Sequence, residues 1–151
     1  MNGDVILLAS RLISSEIDAP LREALGCAEP LEELSAEFCR LFVGPRPMCP
    51  PYASVQRGEP MMGGRAERRL KEFVARHGLD VTVPPGYAVL SLDHLGVELA
   101  LLHHLGEGPV AEELLEDHLR PWAPGYLRLL EESACLEPYV SVARWCREEL
   151  T

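Results

Sequence analysis

The sequence predicts an all-α fold, and three observations lead to that prediction. Apolar residues recur at spacings of three and four in eight separate segments, which is the period of an amphipathic helix. Four of these segments have a proline near their start, where a helix tolerates it best. The one triplet with strand character, Val81–Val83, has no partner strand elsewhere, so we expect an extended connection there. We therefore predict a compact globular bundle of about seven to eight helices.

Four helices are predicted in the first half of the chain, over 5–14, 18–26, 31–42 and 65–77. Asp18 is suited to cap the second helix, and Gly26 is suited to end it. The third keeps an apolar stripe from Leu31 to Phe42 and leads into a proline-rich segment.

Four more helices are predicted in the second half, over 91–105, 109–119, 121–133 and 138–149. The first of these has the clearest pattern, because Ser91 or Asp93 can cap it and Gly106 can end it. Gly96 within it costs about 1 kcal/mol relative to alanine. We therefore expect another segment to approach closely at Gly96, and the proline-rich segment is the expected neighbour.

The length predicts a single domain that spans residues 1–151, and the net charge restricts its partners. The net charge of −10 argues against nucleic-acid binding and against anionic membranes, since both need a basic surface. Residues 91–151 hold 4 basic and 12 acidic groups, which suits solubility or a basic partner. The apolar run Val5–Leu8 is too short for a signal peptide or a membrane span. We expect a cytoplasmic protein without membrane insertion.

Cysteines and ionisable groups give no catalytic or metal-site signature. The five cysteines form no paired spacing, and Cys39 and Cys146 are expected to be reduced thiols in the core. His94 and Glu98 are four residues apart and can pair on one helix face, but no third or fourth metal ligand accompanies them. Phosphate-binding loops, nucleophile elbows and zinc-protease motifs are missing from the sequence. No catalytic residue, metal or cofactor is expected.

The proline-rich segment has two interpretations. Four prolines within residues 45–51 force it to be extended or turning, yet Phe42, Met48 and Tyr52 make it apolar. It can be a rigid loop packed on its own core, which the composition alone favours, or a stiff recognition surface. Trp122, at a predicted corner between helices, can likewise belong to the core or form one wall of a groove.

Three blocks of sequence resemble one family. Leu41–Val55, Asp93–Leu99 and His118–Trp122, in this order and spacing, are similar to the TorD/DmsD/NarJ family, and the likeness extends over residues 37–145. This family consists of cytoplasmic maturation chaperones of molybdenum-containing oxidoreductases. The resemblance implies an all-helical fold without catalysis. It also implies binding of a catalytic subunit's N-terminal region, frequently a twin-arginine signal peptide, until the molybdopterin cofactor has been inserted.

The resemblance also implies where the peptide binds. A recognition loop is expected over 43–63, and the segment 1–30 corresponds to shortened N-terminal helices, so a monomer and a homodimer are both open. The residues carried over from the family blocks are Leu41, Phe42, Gly44, Pro45, Pro50, Pro51, Tyr52, Ser54, Asp93, His94 and Glu98. Trp122 joins them on physical grounds, as an aromatic wall beside Phe42 and Tyr52.

We therefore expect a chaperone that holds a molybdenum oxidoreductase subunit by its leader. Aromatic residues would meet the leader's apolar run, and Asp93 and Glu98 would meet its arginines through charge-assisted bonds. One alternative is a NarJ-like assembly chaperone for a subunit that is not exported. Others are a small enzyme or nucleotide-binding regulator built on Asp93, His94 and Glu98, and a purely structural helical adaptor.

Overall fold

The computed structural model describes residues 1–151 and contains nine α-helices and no β-strand. The all-α prediction is confirmed. The helices are α1 (Gly3–Ser14), α2 (Ala19–Leu25), α3 (Leu31–Phe38), α4 (Ala53–Gln56), α5 (Gly64–Arg76), α6 (Leu95–Leu105), α7 (Pro109–Glu113), α8 (Ala123–Ser133) and α9 (Glu137–Leu150). Two of them continue directly into π-helical turns, α3 into Cys39–Val43 and α7 into Leu114–Leu119. The one helix that the sequence did not predict is α4, whose four residues are too few to give a periodic signal.

Local sequence fixes several helix ends as predicted. The Asp18 carboxylate accepts a hydrogen bond of 2.9 Å from the backbone N–H of Leu21, so it caps α2. Gly26 ends that helix at φ 66°, a left-handed conformation that glycine adopts without steric cost. Pro20, Pro109 and Pro138 each lie in the first turn of a helix, where the missing N–H is not needed. The helix predicted to start at Pro121 instead begins at Ala123, and the proline in its first turn is Pro124.

The start of α6 differs from the prediction. The helix begins at Leu95, and its N-cap is His94 instead of Ser91 or Asp93. Both of those side chains are engaged elsewhere, because Ser91 donates to Asp93 and Asp93 accepts from the backbone of Ser54. Residues 91–93 therefore form a turn that leads into the helix.

The core is built around α1, which packs against α6 and α9, while α8 packs against α9. Gly96 lies at the contact between α1 and α6. Ser10 Oγ donates a 2.6 Å hydrogen bond to the Gly96 carbonyl, and a Cβ added at Gly96 would overlap the Ser14 hydroxyl. The expected close approach at Gly96 is confirmed, but the approaching segment is α1 and not the proline-rich segment.

The cysteine prediction holds for one of its two residues. Cys146 is fully buried, whereas Cys39 is exposed. Cys39 starts a π-helical turn, closed by a 2.7 Å bond from the Gly44 N–H to the Cys39 carbonyl. The wider turn directs Leu41 and Phe42 into the core and leaves Cys39 outside. All five cysteines are free thiols. No helix is both long enough and apolar enough to cross a membrane.

Candidate functional site

A short antiparallel contact joins the proline-rich segment to the start of α6. The backbone N–H of Ala53 donates to the Asp93 carbonyl at 3.0 Å, and that of Leu95 donates to the Pro51 carbonyl at 2.8 Å. Tyr52 and His94 lie between these bonds as an isolated β-bridge. Two of the three family blocks therefore meet in space, and we call this contact, formed by residues 51–54 and 93–95, the junction.

Both oxygens of the Asp93 carboxylate accept hydrogen bonds from within the protein. One oxygen accepts the backbone N–H of Ser54 at 2.8 Å, and the other accepts the Ser91 hydroxyl. The Ser54 hydroxyl in turn accepts the N–H of Gly63 at 2.9 Å, which fixes the chain just before α5. Asp93 and Ser54 are completely buried. Buried polar groups of this kind are stabilising only when each has its partner.

Tyr52 extends the junction towards the segment before α6. Its hydroxyl accepts the backbone N–H of Leu90 at 3.1 Å, and its ring lies edge-on to the His94 ring at 5.1 Å between centroids. Burial raises the pKa of Tyr52, so the phenol keeps its proton. On the other side of the segment, the Tyr126 hydroxyl donates to the Cys49 carbonyl at 2.8 Å. Two tyrosine hydroxyls thus fix the C-terminal part of the proline-rich segment, at Cys49 and at Tyr52.

His94 is a neutral capping residue. Its Nδ1 accepts the Gly96 N–H at 2.9 Å, so the ring proton of the neutral form is on Nε2. Nε2 is buried and has no hydrogen-bond partner. Burial lowers the pKa of His94 to about 4, because the charged ring would lose its hydration. His94 is therefore uncharged at neutral pH.

Glu98, one turn of α6 after His94, is buried close to the indole of Trp122. Burial raises the pKa of Glu98 well above its usual range, and the nearby Trp122 indole opposes this only in part. Glu98 Oε2 and Trp122 Nε1 both lack a hydrogen-bond partner of ordinary geometry. The predicted pairing of His94 with Glu98 is wrong, because His94 Nδ1 is used as the helix cap and its Nε2 is unpartnered.

Most of the twelve residues expected at the peptide site have no free surface in this conformation. Gly44 and Pro50 are half-buried and Pro45 is exposed. The buried ones are Leu41, Phe42, Pro51, Tyr52, Ser54, Asp93, His94, Glu98 and Trp122. Phe42 lies apart from the junction, between Phe38 and Tyr139, at 5.3 and 5.9 Å between ring centroids. Direct contact of these side chains with a peptide stays a prediction, and it would require the junction to open.

Four exposed apolar side chains are carried by chain segments that meet beside the junction. The contacts of Ser54 with Gly63, and of Gly63 with Ser91, bring three chain segments together. The residue next to each of these carries an exposed apolar side chain. We call the resulting surface the methionine patch, and it consists of Val55, Met61, Met62 and Leu90. Met61 is 73% exposed and Leu90 80%.

Sequence reasoning did not identify this patch. The recognition loop expected over 43–63 includes Val55, Met61 and Met62, but none of the three was predicted as a site residue. Two adjacent methionines outside any helical period are themselves a signal, since no predicted core face accounts for them. Met48, on the proline-rich segment, is also exposed, so the only methionine outside this region is Met1.

Positive charge flanks the methionine patch. Arg57, Arg65 and Arg69 are exposed, form no ion pair, and line a hollow of about 250 Å³. Glu59 lies in the same hollow, but its carboxylate accepts the N–H groups of Arg65 and Ala66 at the start of α5. No three side chains among the histidines, cysteines and carboxylates are arranged to hold a metal ion.

Comparison with known proteins gives consistent results. The family model described as nitrate reductase delta subunit matches residues 12–128. Curated chaperone proteins TorD from two strains of Vibrio cholerae serotype O1, classical Ogawa O395 and M66-2, are each 26% identical over 124 residues. That match covers 74% of this chain and 56% of each relative, so the chain spans a little over half the length of these curated proteins.

A solved structure shows the same fold. It is described as a proposed redox enzyme maturation protein from Archaeoglobus fulgidus, and it is 28% identical with a TM-score of 0.70. The match covers 99% of this chain and 93% of that one. The family model alone matches well over half of the chain. This chain therefore belongs to the nitrate reductase delta subunit family, the TorD/NarJ family of redox enzyme maturation proteins.

Proposed function

We propose that this protein is a chaperone of molybdoenzyme maturation, which acts in the cytoplasm on a catalytic subunit before the molybdenum cofactor is inserted. Family membership supports this role, and the observation that carries the proposal is the methionine patch. Exposed apolar side chains that lie close together on a protein surface are typical of a site that binds a partner. Unbranched, polarisable methionines adapt to differently shaped apolar partners, as a chaperone of an unfinished subunit requires.

The buried residues of the junction fix the positions of the segments that carry the methionine patch. Their hydrogen bonds hold Ser54, Gly63 and Leu90 in fixed relation. The family-implied residues at the junction would thus act by positioning the exposed ones, and the apolar contact with the client would come from Met61, Met62 and their neighbours.

The preferred ligand is the N-terminal leader of the subunit, a twin-arginine signal peptide. Its apolar run would cover the methionine patch. Asp93 cannot meet the arginines while the junction is closed, because its oxygens are already occupied, and Glu98 favours its uncharged form. The arginines would therefore need exposed carboxylates away from the junction.

The second candidate is a NarJ-like chaperone for a subunit without an exported leader. The unpaired guanidinium groups of Arg57, Arg65 and Arg69 beside the patch favour it. They would repel a leader's arginines and attract a client segment that carries carboxylates.

Isothermal titration against leader peptides of neighbouring molybdoenzymes tests the proposal. Replacing Met61 and Met62 together by serine should weaken binding at least tenfold, because burying a methionine contributes roughly 1.5–3 kcal/mol. Leu129→Ser, at another exposed apolar residue on α8, is the matched control and should bind as the wild type does. Equal affinities for the double variant and the wild type would remove the patch from the site. A leader peptide in which both arginines are replaced by alanine separates the two candidates, since only recognition of a twin-arginine leader requires the arginines.

A further inference from the structure

The extended segment between α5 and α6 carries a row of unpaired backbone groups. In Asp80, Val81, Thr82 and Val83, neither the N–H nor the carbonyl forms a hydrogen bond within the protein. Pro84 and Pro85 end the row, because they have no N–H to offer. The segment is anchored further on, where the Ala88 N–H donates to the Ser14 carbonyl at 2.7 Å and the Leu90 N–H donates to Tyr52. These four residues therefore present free backbone donors and acceptors, as the edge of a sheet does, and we call this row the edge.

A cavity of about 190 Å³ lies between this segment and the helices α1 and α6. Val81, Val83 and Val89 contribute one wall, and Val97 and Leu101 of α6 contribute to the other. A peptide that paired with the edge could therefore place an apolar side chain in the cavity, in the manner of known strand-addition sites.

The cavity carries negative charge, whereas the hollow lined by Arg57, Arg65 and Arg69 carries positive charge. No lysine or arginine lines it, and Asp80 supplies a carboxylate at its rim. Arg11 lies over the Tyr87 ring at 5.8 Å, but its guanidinium donates to the carbonyls of Ser15 and Glu16 and pairs with Asp18. A ligand with positive charge and an apolar run fits this place better than an acidic one.

We propose that the client leader binds by strand addition along Asp80–Val83, with an apolar side chain in the adjoining cavity. This mode rests on the proposed function. Residues 84–90 connect the edge to Leu90 of the methionine patch through a turn, in which the Tyr87 N–H donates to the Pro84 carbonyl at 3.2 Å. In this mode one peptide pairs with the edge and lays its remaining apolar run on the patch, while Asp80 meets an arginine.

Backbone amide exchange, measured by NMR with and without leader peptide, tests the mode directly. In a paired strand, alternate residues direct their backbone groups to opposite edges. We expect added protection in one alternate pair only, either Asp80 and Thr82 or Val81 and Val83. Unchanged exchange at all four amides in the peptide complex would overturn the proposal.

Two proline variants supply the matched control. Val81→Pro and Thr82→Pro each remove one N–H and keep the preceding residue extended, so the segment retains its shape. The variant that removes the partner-facing N–H should weaken leader binding roughly tenfold more than the other variant does, through the lost bond and the ring's clash with the partner strand. Equal effects of both variants would indicate a general disturbance and contradict strand addition.

The remaining outcomes separate this mode from the proposed function. If both proline variants bind normally while the double serine variant of Met61 and Met62 binds weakly, the edge is not used and the chaperone role stands. If the wild type binds no leader at all, strand addition and the leader as the preferred ligand both fail, and the NarJ-like candidate is left. Protection of these amides without peptide, growing with protein concentration, would place a second copy of the chain on the edge and overturn the assignment to the leader.

Discussion

The Asp93 carboxylate accepts a hydrogen bond of 2.8 Å from the backbone N–H of Ser54, across 39 residues of chain. Both residues are completely buried. The bond joins the proline-rich segment to the helix α6, and Ser54 passes the connection on to Gly63 before α5. A carboxylate that the family resemblance assigns to peptide binding is thus a buried hydrogen-bond acceptor that links two distant segments of the fold.

Replacing Asp93 should therefore affect stability before it affects binding. Asp93→Ala leaves the buried N–H of Ser54 without a partner, and we expect a loss of about 3 kcal/mol in the free energy of unfolding. Urea denaturation measures this loss. Asp80→Ala, at an exposed carboxylate, is the control and should change stability by less than about 0.5 kcal/mol. A stable Asp93→Ala protein that binds leader weakly would instead support direct contact.

The buried imidazole should make the protein sensitive to acid. Because the folded-state pKa of His94, about 4, lies below its ordinary value of 6.5, its contribution is fully present above pH 6.5. Stability should fall by about 3 kcal/mol as the pH drops from 6.5 to 4. In His94→Asn, where an amide oxygen can still cap α6, this loss should be missing. Denaturation at several pH values checks the difference, and parallel curves for the two proteins would count against it.

Glu98 should act in the opposite direction. Its folded-state pKa is raised, so its contribution is fully present below the ordinary carboxyl pKa and is lost as the pH rises towards the folded-state value. Glu98→Gln, which cannot ionise, should therefore gain stability relative to the wild type between pH 5 and pH 8. Glu132→Gln, at an exposed position, is the control and should follow the wild type. Thermal melts at the two pH values suffice, and a constant difference for Glu98→Gln would refute the argument.

The contact between α1 and α6 should not admit a larger residue at position 96. Gly96→Ala gains helix propensity, but its Cβ overlaps the Ser14 hydroxyl and comes within 3.1 Å of the Ser10 carbonyl. We expect a net loss of about 1–3 kcal/mol from overpacking. Combining it with Ser14→Ala should recover part of the loss, because the overlapping hydroxyl is gone. A double-mutant cycle measures this coupling, and simple additivity would show that the two residues do not collide.

Much of the fold could be predicted because helix signals are local. The period of the apolar residues gave all eight longer helices, and Asp18 and Gly26 identified the bounds of α2 from their own chemistry. The four residues of α4 and the π-helical turn at Cys39 were not predicted, since neither leaves a periodic signal in the sequence. The neighbour of Gly96 was also missed, because a glycine indicates a close approach and carries no information on what approaches.

The candidate site was harder to predict, for a reason visible at Asp93 and Met62. A family block shows that residues matter, but the same pattern arises when they contact a ligand and when they position the residues that do. Which of the two holds depends on burial, and burial of Asp93 depends on a segment 39 residues away. The exposure of Met62 similarly follows from the turn that the Ser54–Gly63 bond fixes.

The most direct test of the chaperone role is co-purification of this protein with the full-length catalytic subunit of the molybdoenzyme encoded beside it. The subunit would be produced in cells that cannot make the molybdenum cofactor and, in parallel, in cells that can. We expect a complex with the cofactor-free subunit, which is lost when the subunit's N-terminal region is deleted and depleted when the cofactor is available. Failure to retain the cofactor-free subunit, or equal retention of the loaded one, would contradict the proposed function.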